Sequence, residues 1–444
     1  MTASHRTPGG SPDGARRPDA GTAASAGTRT TSLEQFDRTV SAVIDGPVAD
    51  FAIDFDHTDP RWVADPFPIW SDLRQRCPVA RTERYGGGWL PTRWDDVADV
   101  AYDTDHFSSR SPVMSNTRPP LELAPAGITP PISSDPPFHH DFRRLLLPAF
   151  SPQAVARLEP ATRAHCQALL EAVAGRSVVD GAVDFAQHIP VRVIAHMLGF
   201  PPEDGDRFRR FIHNALEGVN RPVEERFASV QELFAYLREQ IEDHVDRPRD
   251  DLTTFLVDTL RADDRGVDLV AVARTIALLL IAGIDTTWSA IGASLWHLAD
   301  HPDDRRRLVA EPELLPTALE ELLRAYAPVT MARLVATDMR WRGCALHRED
   351  WVLLPFPAAN RDPAQFERAD EVVIDRAVNR HAAFGLGIHR CLGSHLARME
   401  LRVALETWLA RYPEFTLVDP QAVTWSAGQV RGPRTLPLAV GTAD

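Results

Sequence analysis

One cysteine, Cys391, stands at the head of a stretch with helical periodicity, in the run Phe384-Gly385-Leu386-Gly387-Ile388-His389-Arg390-Cys391-Leu392-Gly393. The positive end of a helix and its unpaired N–H groups favour thiolate over thiol at such a position. Glycines on both sides let the backbone approach a bulky flat group. Phe384 is placed to shield a sulfur from water. His389 and Arg390 can offer donors or positive charge to an anion. Three readings fit: a buried structural cysteine, a thiol nucleophile beside a histidine, or a thiolate ligand of haem iron.

A second group lies in the longest apolar-periodic segment, residues 267–299. A helix of about 30 residues is roughly 45 Å long and crosses a whole domain. Its middle, Ala282-Gly283-Ile284-Asp285-Thr286-Thr287, works against regularity. Glycine costs about 1 kcal/mol relative to alanine. The Thr286 hydroxyl can bond the Ala282 carbonyl and bend the helix. A carboxylate among apolar residues is costly unless paired or used. The expectation is a bent helix whose groove gathers an acid, a hydroxyl and water, suited to proton delivery. The plainer alternatives are a tolerated kink and an aspartate bonded to a nearby arginine.

Two further pairs share helix faces. His139 and Arg143 are four apart, so both can meet one anion; a solvated basic face is the alternative. Glu321 and Arg324 are three apart and can form an ion pair. Residues 327–338, containing Arg333, read as a strand entered after a proline.

These runs resemble the cytochrome P450 family. The cysteine run resembles its haem-binding pattern F-G-x-G-x-H-x-C-x-G at every fixed position. Residues 282–287 resemble its [AG]-G-x-[DE]-T-[TS] motif, residues 135–143 its D-P-P-x-H-x-x-x-R segment, and residues 321–324 its structural E-x-x-R. The resemblance runs from about residue 59 to 440. It implies a mostly α fold with small β-sheets (α+β), a triangular prism with a long central helix over haem b. It implies Cys391 as the metal ligand and His139, Arg143, Arg333, Phe384, Gly385, His389 and Gly393 as further cofactor contacts. Asp285 and Thr286 become the catalytic proton-delivery pair. Residues 329–332 would line the distal pocket and 425–430 a final pocket turn. Residues 108–137 match a substrate-contacting loop, whose Met114, Leu121, Leu123 and Ile128 could face an apolar ligand. The third partner of Glu321 and Arg324 is left open, because Val372 and Glu371 depart from the family's pattern.

Composition bounds the rest. The chain has 444 residues, 44% hydrophobic, enough for a large core. Residues 1–32 are small and polar and are expected to be a disordered tail; 33–444 are expected to be one haem domain. Four scattered cysteines suggest neither a zinc site nor a disulfide framework. The net charge of −14 argues against general nucleic-acid binding. There is no signal-peptide core, and no membrane anchor is expected. The chain lacks a dinucleotide-binding glycine pattern, so electrons would come from a separate ferredoxin- or flavodoxin-like donor with its reductase. Arg390 and Arg398 are the expected donor-docking cations. The reading is a cytoplasmic, bacterial-type, monomeric monooxygenase acting on a lipophilic small molecule or a carrier-bound metabolite, in secondary metabolism or catabolism. A peroxide-driven enzyme, a redox-neutral isomerase or dehydratase, and a non-enzymatic haem protein are the alternatives.

Overall fold

The apolar period of residues 267–299 forms one unbroken helix, Leu269–Asp300, in the computed structural model, which describes residues 44, 46–118, 127–217, 222–262 and 266–441. The expected tail, 1–32, lies outside the described residues. Asp268 caps this central helix by accepting from the Ala271 amide at 3.0 Å. Thr286 Oγ1 donates to the Ala282 carbonyl at 2.9 Å as expected, yet the helix continues through it. The helix is thus continuous over 32 residues through the back-bonded threonine.

Those neighbours are amphipathic helices that bury apolar faces in one large core: His188–Leu198, Gly205–Leu216, Val223–Asp246 and Ser394–Arg411. Pro152–Ala172 is capped by Ser151, and Pro152 starts its first turn. Leu396, Met399, Val403 and Leu409 all pack inward. The central helix is long and apolar enough to cross a membrane, but over half of that stretch is buried against the chain itself. It is the core helix of this fold.

The largest sheet has five strands, in the order Val79–Thr82, Gly88–Pro91, Trp351–Pro355, Thr330–Val335, Phe107–Ser108. Trp351–Pro355 runs antiparallel to Thr330–Val335, with Leu353 opposite Ala332. Side chains alternate along the latter strand. Ala332 and Leu334 fill a second core with Trp351 and Leu353, while Met331 and Arg333 face the other way, into a cavity. Met114 belongs to that second core and is fully buried. Gly88 makes room for it, since a Cβ there would lie 2.9 Å from Met114 Cε. Met114 therefore does not face a ligand. Leu121 and Leu123 lie outside the described residues, and Pro131 and Ile132, not Ile128, reach the cavity.

Candidate active site

The cysteine loop is shaped by two left-handed glycines, Gly385 (φ 72°) and Gly387 (φ 66°). A Cβ on Gly387 would lie 2.4 Å from the Ala101 carbonyl oxygen, so this position is closed to side chains. The Cys391 amide donates to the Phe384 carbonyl at 2.7 Å and closes the loop. Gly393 has an ordinary φ, and a Cβ there would meet only the Phe150 ring at 3.8 Å. Its bareness leaves open the cavity wall that it lines.

Cys391 lies three residues before the first residue of the helix Ser394–Arg411. Its exposed surface faces the cavity, while protein encloses the sulfur elsewhere. That enclosure raises the thiol pKa, outweighing the Gly393 N–H and the cations Arg143, Arg398 and Arg390. Burial in protein thus works against the helix end and the nearby cations, which favour the thiolate. A bound metal cation deprotonates a coordinating thiol outright.

The cavity encloses about 230 Å³ and brings the predicted residues together. Cys391, Phe384, Gly385 and Gly393 line its base; His139, Arg143, Arg333 and His389 stand at its polar end; Leu278, Leu279, Ala282, Gly283 and Thr286 of the central helix face them. His139 sits on the helix Phe138–Leu146, its ring 4.4 Å from that of His389. The Ile388 carbonyl lies nearby, but neither His139 ring nitrogen has hydrogen-bond geometry to any described group. His389 Nε2 lies 2.8 Å from Ser109 Oγ. Arg333 is buried, and among the described residues it bonds only its neighbour's carbonyl, Ala332 O, at 2.8 Å. Arg143 forms no ion pair among the described residues. Burial pushes His139 down to about 4 and Arg333 down to about 10, and it depresses His389 further. Buried cations and donors without acid partners are costly unless an anion joins them. Two buried donors, His139 and Arg333, and two half-buried ones, Arg143 and His389, share one cavity with a cysteine and fit a flat group carrying two carboxylates, as haem does.

Thr286 lines the cavity and Asp285 does not. Asp285 turns to the far side of the central helix, where Arg434 Nη2 lies 2.9 Å from Oδ1 and 3.1 Å from Oδ2. Only the second contact has hydrogen-bond geometry, so Oδ1 accepts no hydrogen bond. Arg434 also donates to Glu217 at 2.8 Å and to Ser289 at 3.3 Å, and its guanidinium lies 4.3 Å from the Trp288 ring. Burial raises the Asp285 carboxyl to about 6 against the pull of Arg434. Gly283 has a packing reason: a Cβ there would lie 2.7 Å from Ile194 Cδ1.

Behind the cysteine loop, Arg324 forks onto Glu321 at 2.8 and 2.9 Å, both fully buried. Arg376 Nε and Asn379 Nδ2 complete the network, each 2.9 Å from Glu321 Oε2. Arg398 is not a free docking cation, because it is held by Glu320 at 2.6 Å; Arg390 is exposed. Residues 425–430 stand behind the wall, where Val430 pairs with Val329 and does not line the cavity. Sequence reasoning missed Arg434, Glu217, Glu320 and Ser109. Each is far along the chain from its partner, and no local pattern marks it.

Comparison with known proteins places these features. The cytochrome P450 family model matches residues 206–423. The mycinamicin IV hydroxylase/epoxidase of Micromonospora griseorubida is 35% identical over 378 residues, covering 83% of this chain and 94% of that protein. The nocardicin C N-oxygenase of Nocardia uniformis subsp. tsuyamanensis is 36% identical over 381 residues, covering 84% and 94%. A crystal structure of a Bacillus megaterium P450 in complex with testosterone superposes with a TM-score of 0.78 at 30% identity, covering 85% of this chain and 98% of that one.

Proposed function

The chain belongs to the cytochrome P450 family, and from that premise we propose that it is a haem b monooxygenase of lipophilic small molecules, served by a separate ferredoxin- or flavodoxin-like donor and its reductase. The observation that carries the reading is the single cavity that gathers Cys391, the four propionate-side donors and Thr286. Haem bound there would supply dioxygen activation and oxygen transfer.

The chain's own residues do the rest. Cys391 would supply the sulfur that holds the iron, and the hydrogen bond from its amide to the Phe384 carbonyl fixes the loop that carries it. His139, Arg143, Arg333 and His389 would hold the propionates, whose charge would offset that of the two arginines. Ser109 fixes the ring of His389. Thr286 presents its hydroxyl to the cavity, and Asp285, near 6, exchanges a proton at working pH. Because Asp285 faces Arg434, a proton moves from it to the cavity through Thr286 or water. Ile132, Ile194, Leu278, Leu279, Val329 and Met331 offer no charge to a substrate, so shape and apolar contact select it. The named relatives act as a hydroxylase/epoxidase and an N-oxygenase, and the superposed structure holds testosterone. These support a lipophilic metabolite as the substrate.

The test is spectroscopic and then chemical. Reduced protein under carbon monoxide is expected to show the red-shifted Soret band of thiolate ligation, and Cys391→Ser to lose it. Turnover of a bound lipophilic substrate is expected to need both reductant and dioxygen. Turnover without reductant would replace this reading with a redox-neutral one.

A further inference from the structure

Glu320 directly precedes the buried Glu321 on the helix Leu315–Ala325, but it faces the cysteine loop. Arg398 grips it as a fork, with Nε 2.6 Å from Oε1 and Nη2 2.8 Å from Oε2. His381 Nε2 lies 3.0 Å from Oε2. The Ala383 amide donates to His381 Nδ1 at 3.1 Å, so Nδ1 is an acceptor and the proton sits on Nε2, facing Glu320. Burial alone would raise the Glu320 carboxyl, and Arg398 and His381 hold it down to about 2. One carboxylate thus ties the start of the cysteine loop to the helix that follows it.

Phe384 lies between these two partners. The Arg398 guanidinium carbon is 4.3 Å from the Phe384 ring centroid, and the His381 ring is 6.0 Å from it. Phe384 accepts the Cys391 amide and lines the cavity beside it. Arg398 is also one of the cations acting on the sulfur. A fully exposed pair of this kind contributes little. This one is only 29–30% exposed at its two side chains and bidentate, so its geometry is fixed.

We propose that Glu320 is a positioning residue for the cysteine ligand: through Arg398 and His381 it fixes the Phe384 ring, and by neutralising Arg398 it sets the electrostatic field at the Cys391 sulfur. The inference rests on Cys391 being the axial ligand. Field and reduction are linked by charge. Reduction adds one electron to the site, so an added positive charge favours it and an added negative charge opposes it. Glu320→Gln leaves Arg398 uncompensated and raises the midpoint potential. Arg398→Met leaves Glu320 uncompensated and lowers it. The double variant returns toward the wild-type value.

The experiment is a spectroelectrochemical titration of the purified holoprotein and these three variants, with the carbon monoxide band recorded for each. Arg398→Gln, with the same expected sign, replaces Arg398→Met if the latter does not retain haem. Shifts of opposite sign with the red-shifted band kept support the proposal. An unchanged potential in Glu320→Gln, or shifts of one sign in both single variants, overturns it, since a brace without electrostatic effect gives that pattern. Absence of the band from the wild type overturns the ligand assignment itself.

Discussion

Arg434 reaches Asp285 from the strand Pro433–Thr435, with Nη2 2.9 Å from Oδ1, and the same guanidinium donates to Glu217 at 2.8 Å. One cation serves two carboxylates, and the more buried of them, Asp285, is left near 6. The pH sign follows. The folded-state pKa stands above the ordinary 3.8, so the folded protein prefers the protonated form. The stability this lends is complete below about pH 4 and is lost as pH rises through about 6. A shift of about two units corresponds to roughly 3 kcal/mol. Unfolding of wild type and Asp285→Asn should be compared at about pH 4 and about pH 7. The wild type is expected to lose roughly 3 kcal/mol relative to the variant on that rise. A difference that stays constant with pH rules out a raised Asp285.

Thr286 joins the hydroxyl expected of a proton relay to a bond with Ala282 O at 2.9 Å. Removing the hydroxyl leaves Thr287 as the other threonine that the central helix presents to the cavity. General acid–base groups contribute about 10²–10⁴-fold. Thr286→Ala is therefore expected to lower product per dioxygen consumed by roughly tenfold or more, with Thr286→Ser close to wild type. The readout is product formed against dioxygen consumed. Unchanged coupling in the alanine variant favours a peroxide-driven route.

Gly283 tests packing against propensity. Alanine gains about 1 kcal/mol of helix propensity. Its Cβ would lie 2.7 Å from Ile194 Cδ1, and overpacking costs about 1–3 kcal/mol. The crowded atom is the end of a side chain that can turn, which places the cost at the low end. Gly283→Ala should leave the melting temperature within a few degrees of wild type. Because Ile194 lines the cavity, the change should appear in substrate affinity, measured by spectral titration. Adding Ile194→Val should restore it. A large stability loss with unaltered affinity contradicts this account.

The legible parts of this protein are those written locally. The cysteine loop spends ten consecutive residues on one geometry, and His139 and Arg143 announce a shared face by their spacing. The resemblance put residues 329–332 at the pocket, but the strand alternates: Val329, Met331 and Arg333 line the cavity and Ala332 packs in the second core. What stayed hidden depends on distant partners. Arg434 and Asp285 are 149 residues apart. Met114 looks like a ligand contact until the missing side chain of Gly88 lets it into the sheet core. Arg398 looks like a docking cation until Glu320, 78 residues earlier, is found on it. Gly283 has a hidden partner too: it lines the cavity and makes room for Ile194.

Glu321 is the hub behind the loop, fully buried and contacted by Arg324, Arg376, Asn379 and the Val373 amide, the last at 2.7 Å. Removing one partner of a buried pair leaves an uncompensated charge and costs about 3–5 kcal/mol. Glu321→Ala strands Arg324, which has no exposure to water. Chemical unfolding should show a loss in that range. A loss under about 1 kcal/mol removes the network from the account of stability.

Arg333 separates what holds the cofactor from what holds the fold. It is buried, bonds no acid, and burial pulls it down to about 10. In the haem-free protein its charge is a liability, because desolvation outweighs the pull of Asp135, which forms no salt bridge with it among the described residues. With haem present, a propionate supplies the missing anion. Replacing Arg333 by methionine, of comparable reach and no charge, should act in opposite directions on the two forms. Haem-free Arg333→Met should resist urea better than haem-free wild type. The haem-loaded variant should surrender haem to an acceptor protein faster, by roughly tenfold or more for the loss of one charge-assisted contact of about 1.5–3 kcal/mol. Destabilisation of both forms instead would make Arg333 a structural residue of its strand.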